Sequence, residues 1–202
     1  MFNLLLDYIN YIRKIDPAAK SNLEILLCYP GLHAIMLHRV ANYVYNYSTM
    51  VGRCISQLNR FITGIEIHPA AKIGKNVFID HGMGVVIGET TEVGDCCVLY
   101  QGVVLGGINS EPGKRHPTLG KNVVVGAGAI LLGPIIVGDY AKVGAGSVLL
   151  NNVNAGETVV GVPAIPTANK GTNKLDHDGI INPIMTKITS LEQRINQLEG
   201  NR

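Results

Sequence analysis

A count of six governs the middle of this 202-residue chain. Ile67, Ile73, Ile79 and Val85 stand six apart. After a slip of two, Ile87, Val93, Leu99 and Leu105 continue. After an interruption, Leu119, Val125, Leu131, Val137, Val143 and Leu149 run on unbroken. Glycine follows the apolar anchor at 74, 88, 94, 106, 120, 126, 138 and 144, and a small or β-branched residue follows most anchors by four (Ala71, Val77, Thr91, Cys97, Val103, Val123, Ala129, Ala141, Ser147). A period of six fits neither a 3.6-residue helix nor one long alternating strand. It fits a short strand and a corner, repeated, with each anchor pointing inward onto its equivalent in the next coil. Three sides make a coil of about eighteen residues, and the anchors fill between four and five coils. The expected fold class is mainly β: a parallel β-helix. The general rule for parallel crossovers predicts a right-handed winding.

The flanks read differently. Residues 1–62 form an N-terminal helical region. Phe2, Leu5, Leu6, Ile9 and Ile12 keep helical spacing, Asp16-Pro17 breaks that helix and reads as the cap of the next, and further helices are expected over 21–27, 32–47 and 51–62. These are too few and short to stand alone, so they should cap the first coil, whose open sheet edges need cover. Residues 63–166 form the β-helix. Fourteen residues separate Leu105 from Leu119 where twelve would fit two repeats, and the polar segment GGINSEPGKRHPT should leave the coil as an extruded loop over 106–118. Residues 167–202 form a tail. It ends in a short C-terminal helix opened by Asn182-Pro183, with a seam of Ile184, Ile188, Leu191, Ile195 and Leu198 about two heptads long.

Composition narrows the class. A net charge of +2 implies no nucleic-acid partner, and the chain has no apolar run long enough for a membrane span. The start lacks a cleavage-site pattern, which makes the cytoplasm the expected location. Cys28, Cys54, Cys96 and Cys97 show no C-x-x-C spacing. Cys97 falls on an inward position and reads as core, while Cys96 should face outward or sit at a corner.

Chemistry-bearing residues gather at the irregularities. Asp80 and His81 stand just before the two-residue slip, and His81, two past Ile79, should point away from the core. The loop carries Lys114, Arg115 and His116, and Glu66 and His68 open the repeat. The blocks TGIEIHPAAKIG, FIDHGMGVVIGET, QGVVLGG, GKRHPT, GAGAILLG, VGAGSVLL and GVPA, with YPGLHAIMLHRVA before them, resemble the serine O-acetyltransferases, a hexapeptide-repeat acyltransferase family. The short N-terminus resembles the compact form of that family. The resemblance implies a left-handed winding, against the general rule, and a homotrimer.

It also implies roles, on matching positions. His81 is the expected general base, taking the proton of the serine hydroxyl as it attacks the thioester of acetyl-CoA directly; imidazoles suit that task near neutral pH. Glu66, fifteen residues earlier, where the family often has Asp, is expected to orient His81. Asp16 and Asp80 are expected to hold the ammonium group of L-serine, Arg115 to fork onto its carboxylate, and His116 to contact the substrate or the oxyanion. Backbone near Gly107 and Ala127 should line the acetyl-CoA channel, with Lys142, and more weakly Lys170, facing its phosphates. No metal is expected to be required. L-cysteine should inhibit by occupying the serine site. A complex with cysteine synthase is doubtful, because the Asp178-Gly179-Ile180 segment that resembles the family's docking tail is internal. Other readings are acetylation of homoserine or a sugar, a zinc-dependent carbonic-anhydrase-like β-helix using His68, His81 and His116, and a non-catalytic scaffold.

Overall fold

The computed structural model describes residues 2–109, 111–167, 190, 192 and 193. Four helices come first: α1 (Phe2–Ile15), α2 (Asn22–Cys28), α3 (Pro30–Tyr45) and α4 (Thr49–Thr63). The boundaries follow local chemistry. Ser21 and Ser48 cap α2 and α4 by accepting from Glu24 N and Val51 N, Pro30 opens α3 at its first turn, and Gly64 ends α4 in the left-handed conformation. Asp16 does not cap a helix as expected. Its Oδ1 accepts from Ala18 N at 2.8 Å in a turn after α1, and Ser21 takes the capping role.

Fifteen short strands follow: β1 (Glu66–Ile67), β2 (Lys72–Ile73), β3 (Phe78–Ile79), β4 (Val86–Ile87), β5 (Glu92–Val93), β6 (Val98–Leu99), β7 (Val104–Gly106), β8 (Thr118–Leu119), β9 (Val124–Val125), β10 (Ile130–Leu132), β11 (Ile136–Val137), β12 (Lys142–Val143), β13 (Val148–Leu149), β14 (Thr158–Val160) and β15 (Ile165–Pro166). They stack into three parallel sheets: β1-β4-β7-β10-β13, β2-β5-β8-β11, and β3-β6-β9-β12-β14 with β15 added antiparallel. This is the parallel β-helix of the sequence reading. The register pairs anchor with anchor, Ile67 with Ile87, Ile87 with Leu105, Leu105 with Leu131 and Leu131 with Leu149. All fourteen residues read as anchors are buried.

Two details correct the count. Val85 is buried but is not an anchor. Ile87 is the residue that stacks on Ile67, so Val85 takes the small inward position and the two extra residues fall at the corner before it. The segment from Leu105 to Leu119 replaces one repeat, not two. It turns a single corner from β7 to β8, the step that Ile87 to Val93 makes in six residues, so the loop carries eight more (119 − 105 = 14, less 6). An inward-facing period predicts which residues point in, but not how many a corner can shed.

The helices cap the first coil, as expected. Four of its carbonyls receive side-chain donors: Ile67 O from Ser56, Pro69 O from Asn42, Gly74 O from Arg39, and Val77 O from Tyr8. Gly31 lets α3 come close enough, since a Cβ there would stand 2.1 Å from Ile79 O. Helix α4 is turned in an unusual sense. Gly52, Ser56, Asn59 and Thr63 face inward, while Met50, Leu58, Ile62 and Phe61, the last 87% exposed, face out. At the other end, Val148 N donates to Gly161 O, Val148 O accepts from Ala164 N, and β15 closes the third sheet. Cys97 is core, as read, and Cys96 sits at a corner with φ 58°. The expected C-terminal helix lies outside the described residues. Among the described residues, no helix is long and apolar enough to cross a membrane.

Candidate functional site

The first concentration of chemistry lies where the chain turns from the third sheet into the first, after β3. Asp80 N still bonds to Leu99 O, then Gly82 N returns to Asp80 O at 2.6 Å and Val85 N to Gly82 O at 3.0 Å. The two extra residues are absorbed here. His81 takes the left-handed conformation, φ 58°, which histidine tolerates better than a branched residue. That conformation carries its side chain outward, 75% exposed, with Nε2 3.9 Å from Asp80 Oδ1. The cap supplies the rest. Asp16 Oδ2 accepts a 2.6 Å hydrogen bond from the Tyr29 hydroxyl. Burial raises the Asp80 carboxyl above the usual range, and the charge of Asp16 adds to the shift while His81 opposes it. Burial and then the bond to Asp16 push the Tyr29 hydroxyl well up, and Tyr100 is raised by burial and then by Asp80 and Asp16. The fold therefore sets two carboxylates from distant segments in one field beside an exposed imidazole. An arrangement of that kind favours a cation.

The second concentration lies at the next corner, between the first and second sheets, where the extruded loop returns. Thr90 organises it. Its Oγ1 accepts from Arg115 N at 3.0 Å and His116 N at 3.1 Å, and its carbonyl accepts from Lys114 Nζ at 2.6 Å. Its backbone N–H donates to His116 Nδ1 at 3.2 Å, and its hydroxyl lies 2.9 Å from the same nitrogen. A nitrogen that accepts from an amide carries no proton, so the neutral ring bears its hydrogen on Nε2. The ring stays neutral because burial, then the Arg115 charge, lower its pKa. Gly88 makes room for it: a Cβ there would stand 2.2 Å from Nε2. Arg115 Nη2 bonds to Glu89 Oε2 at 2.5 Å, and Lys114 and Lys72 both approach Glu92.

The expected residues thus divide between two corners at opposite ends of the first sheet. Asp16, Asp80 and His81 share one, with Ala127 two coils further along it; Arg115, His116 and Gly107 share the other. Lys142 lies on β12 in the third sheet. Glu66 lies on β1, and its ion partner is Arg60 at 3.3 Å rather than His81. His68 stacks beneath Gly88 at the Arg115 corner, so His68, His81 and His116 do not converge within one chain. Among the described residues no group of three or more His, Cys, Asp or Glu is placed to hold a metal ion. Lys170 and Asp178 to Ile180 lie outside the described residues. Sequence reasoning missed Thr90, Glu89 and Tyr29. The first two are the end of the GET block, a motif whose residues are visible in sequence but whose bonds are not. Tyr29 likewise opens the YPGLHAIMLHRVA block, but nothing local shows that its hydroxyl reaches Asp16.

The family profile described as bacterial transferase hexapeptide (six repeats) matches residues 116–151. A serine acetyltransferase of Synechococcus elongatus is 48% identical over 99% of this chain and 85% of its own length. One from Staphylococcus aureus is 47% identical over 100% of this chain and 95% of its own. Among solved structures, Neisseria gonorrhoeae serine acetyltransferase in complex with serine superposes with a TM-score of 0.79 at 38% identity, covering 83% of this chain and 69% of that one. A serine acetyltransferase in complex with cysteine gives 0.82 at 38%, covering 85% and 67%. The left-handed winding implied by the resemblance is the fold of these neighbours, and the right-handed expectation from the general rule is corrected.

Proposed function

The chain belongs to the serine acetyltransferase family, and from that premise we propose how it acetylates the hydroxyl of L-serine, the first step of cysteine biosynthesis. Acetyl-CoA is the donor: the serine oxygen attacks the thioester carbon directly, the C–S bond breaks, and CoA leaves as a thiolate that takes up the proton from His81. His81 accepts the hydroxyl proton through its exposed ring, and Glu66 orients that ring once the site is complete. Asp16 and Asp80 bind the ammonium group, and Arg115, braced by Glu89, binds the carboxylate. His116 offers its Nε2 hydrogen to the substrate or the oxyanion. Backbone at Gly107 and Ala127 lines the path of the pantetheine arm, and Lys142 faces its phosphates.

One observation carries this reading: Asp80 stands beside His81, and Asp16, brought in from a separate segment and bonded to Tyr29, lies near enough for its charge to raise the Asp80 carboxyl. The division of the remaining groups between two corners supports a homotrimer in which the His81 corner of one copy faces the Arg115 corner of the next. The outward apolar stripe of α4 supports the same assembly, since a run of that kind on a free surface marks an interface. L-cysteine, with sulfur in place of oxygen, meets the same contacts and competes with serine.

The test follows CoA thiol release with L-serine, L-homoserine and no acceptor. L-Serine should be the preferred acceptor. His81→Ala should lower kcat by roughly 10²–10⁴, and Arg115→Ala should chiefly raise the KM for serine. A His81→Ala enzyme within twofold of the parent overturns the base assignment. An Arg115→Ala effect confined to acetyl-CoA overturns the clamp.

A further inference from the structure

We propose that Thr90 is the positioning residue of the carboxylate-binding corner: it fixes His116 as the Nε2–H tautomer and holds the returning loop in register. This rests on the reading of Arg115 and His116 as substrate groups. The support is the saturation of one short side chain. The Thr90 hydroxyl accepts from two successive backbone amides, Arg115 N and His116 N, and has a single hydrogen to give, 2.9 Å from His116 Nδ1. The same residue's amide donates to that nitrogen and its carbonyl takes the Lys114 ammonium. Three consecutive loop residues are therefore tied to one residue of the coil.

The geometry separates what Thr90 does from what it merely touches. The ring of His116 lies against Gly88 and Gly107, with no side chain of either to steer it. Among the described residues, Thr90 alone hydrogen-bonds to Nδ1 and so restrains rotation of the ring on that side. If Nδ1 took the proton, Nε2 would become an acceptor and would face an incoming carboxylate or oxyanion with a lone pair. A donor turned into an acceptor at that position repels the charge it has to hold. Thr90 thus decides the sign of the contact without touching substrate.

Three variants of the intact enzyme test this: Thr90→Val, which keeps the shape and the amide but loses the hydroxyl, Thr90→Ser, which restores it, and His116→Ala. Thr90→Val should lower kcat/KM for serine by about 10- to 100-fold, the scale seen when a metal-ligating histidine loses the hydrogen-bond partner that orients it, with the KM for acetyl-CoA unchanged. Thr90→Ser should stand within about threefold of the parent. Nitrogen-15 NMR of histidine-labelled parent enzyme should show His116 protonated on Nε2, and Thr90→Val, which releases Arg115 N and His116 N and with them the hold that keeps Nδ1 on the residue-90 amide, should show that population reduced. The proposal is overturned by a parent His116 protonated on Nδ1, by a Thr90→Val enzyme within twofold of the parent, or by Thr90→Ser as impaired as Thr90→Val. If His116→Ala itself is fully active, the substrate role of His116 fails, a result distinct from a failure of Thr90 to position it. Should Thr90→Val not fold, the Ser variant and the parent's tautomer decide.

Discussion

His38 sits on the inward face of α3, almost wholly buried, with its Nδ1 lacking a hydrogen-bond partner. Burial lowers its pKa from 6.5 to about 4, and the Arg39 and His68 charges push the same way. The folded protein thus prefers the neutral ring more strongly than the unfolded chain does. That preference contributes its full stability above pH 6.5 and is lost as the pH falls toward 4. At about 1.4 kcal/mol per pKa unit the loss amounts to roughly 3 kcal/mol. Denaturant titrations at pH 7 and pH 4 should show the parent losing that much more than His38→Gln, which cannot titrate. Equal losses in both proteins would place the acid sensitivity elsewhere. If Asp80 holds the serine ammonium as proposed, the same burial logic should make serine binding weaken at low pH, because the carboxyl takes up its proton at a higher pH than an exposed Asp does.

Among elements, one corner of the coil repeats its conformation with a different residue each time. Asn76, Cys96, Asn122 and Tyr140 all stand at φ between 54° and 61°, and Gly156 continues them at 70°. Each one after Asn76, which stands in the first coil, is joined to the coil before it by its own amide, as Cys96 N is to Lys75 O and Asn122 N to Asp95 O. Asparagine accepts the left-handed region more readily than cysteine does. Cys96→Asn should therefore raise stability by about 0.5–1 kcal/mol, read as an increase of a few degrees in Tm; a lower Tm would show that the thiol beside Tyr11 packs better than the corner is strained. That corner also shows where the sequence was readable. The anchors announced themselves because burial forces one residue type at a fixed interval. Cys97 and Cys96 were separable on that basis alone. Corners have no such interval, so Val85 was counted as an anchor and the loop was credited with two repeats. The site was legible in its residue types, His81 beside Asp80 and Arg115 beside His116, through a motif and not through physics. Thr90 was not, because a hydroxyl that serves two loop residues looks in sequence like any threonine at a turn. Asp16 was visible as a breaker, but its meeting with Asp80 depends on how α1, α2 and the first coil pack, which no local pattern encodes.

On the scale of the molecule, the two corners of the first sheet set the terms of assembly. If each catalytic centre joins the His81 corner of one copy to the Arg115 corner of another, an equal mixture of His81→Ala and His116→Ala chains, refolded together, should regain activity that neither has alone. Mixed trimers that form and stay inactive would place each centre within one chain. The ends of the stack raise a different matter. Parallel coils have no natural last member: the final coil of one copy is shaped like a template for the first coil of the next, and the repeat of such a contact is a thread that never closes. The turn at 161–164 and β15, which runs against its neighbour and ends on Pro166 with no amide hydrogen to offer, work as a terminator. A chain stopped at Val160 should polymerise end to end into fibres visible by electron microscopy, while one stopped at Thr167 should not. Enzymes built this way have to write their length into their termini, because nothing in the repeat itself tells the coil where to stop.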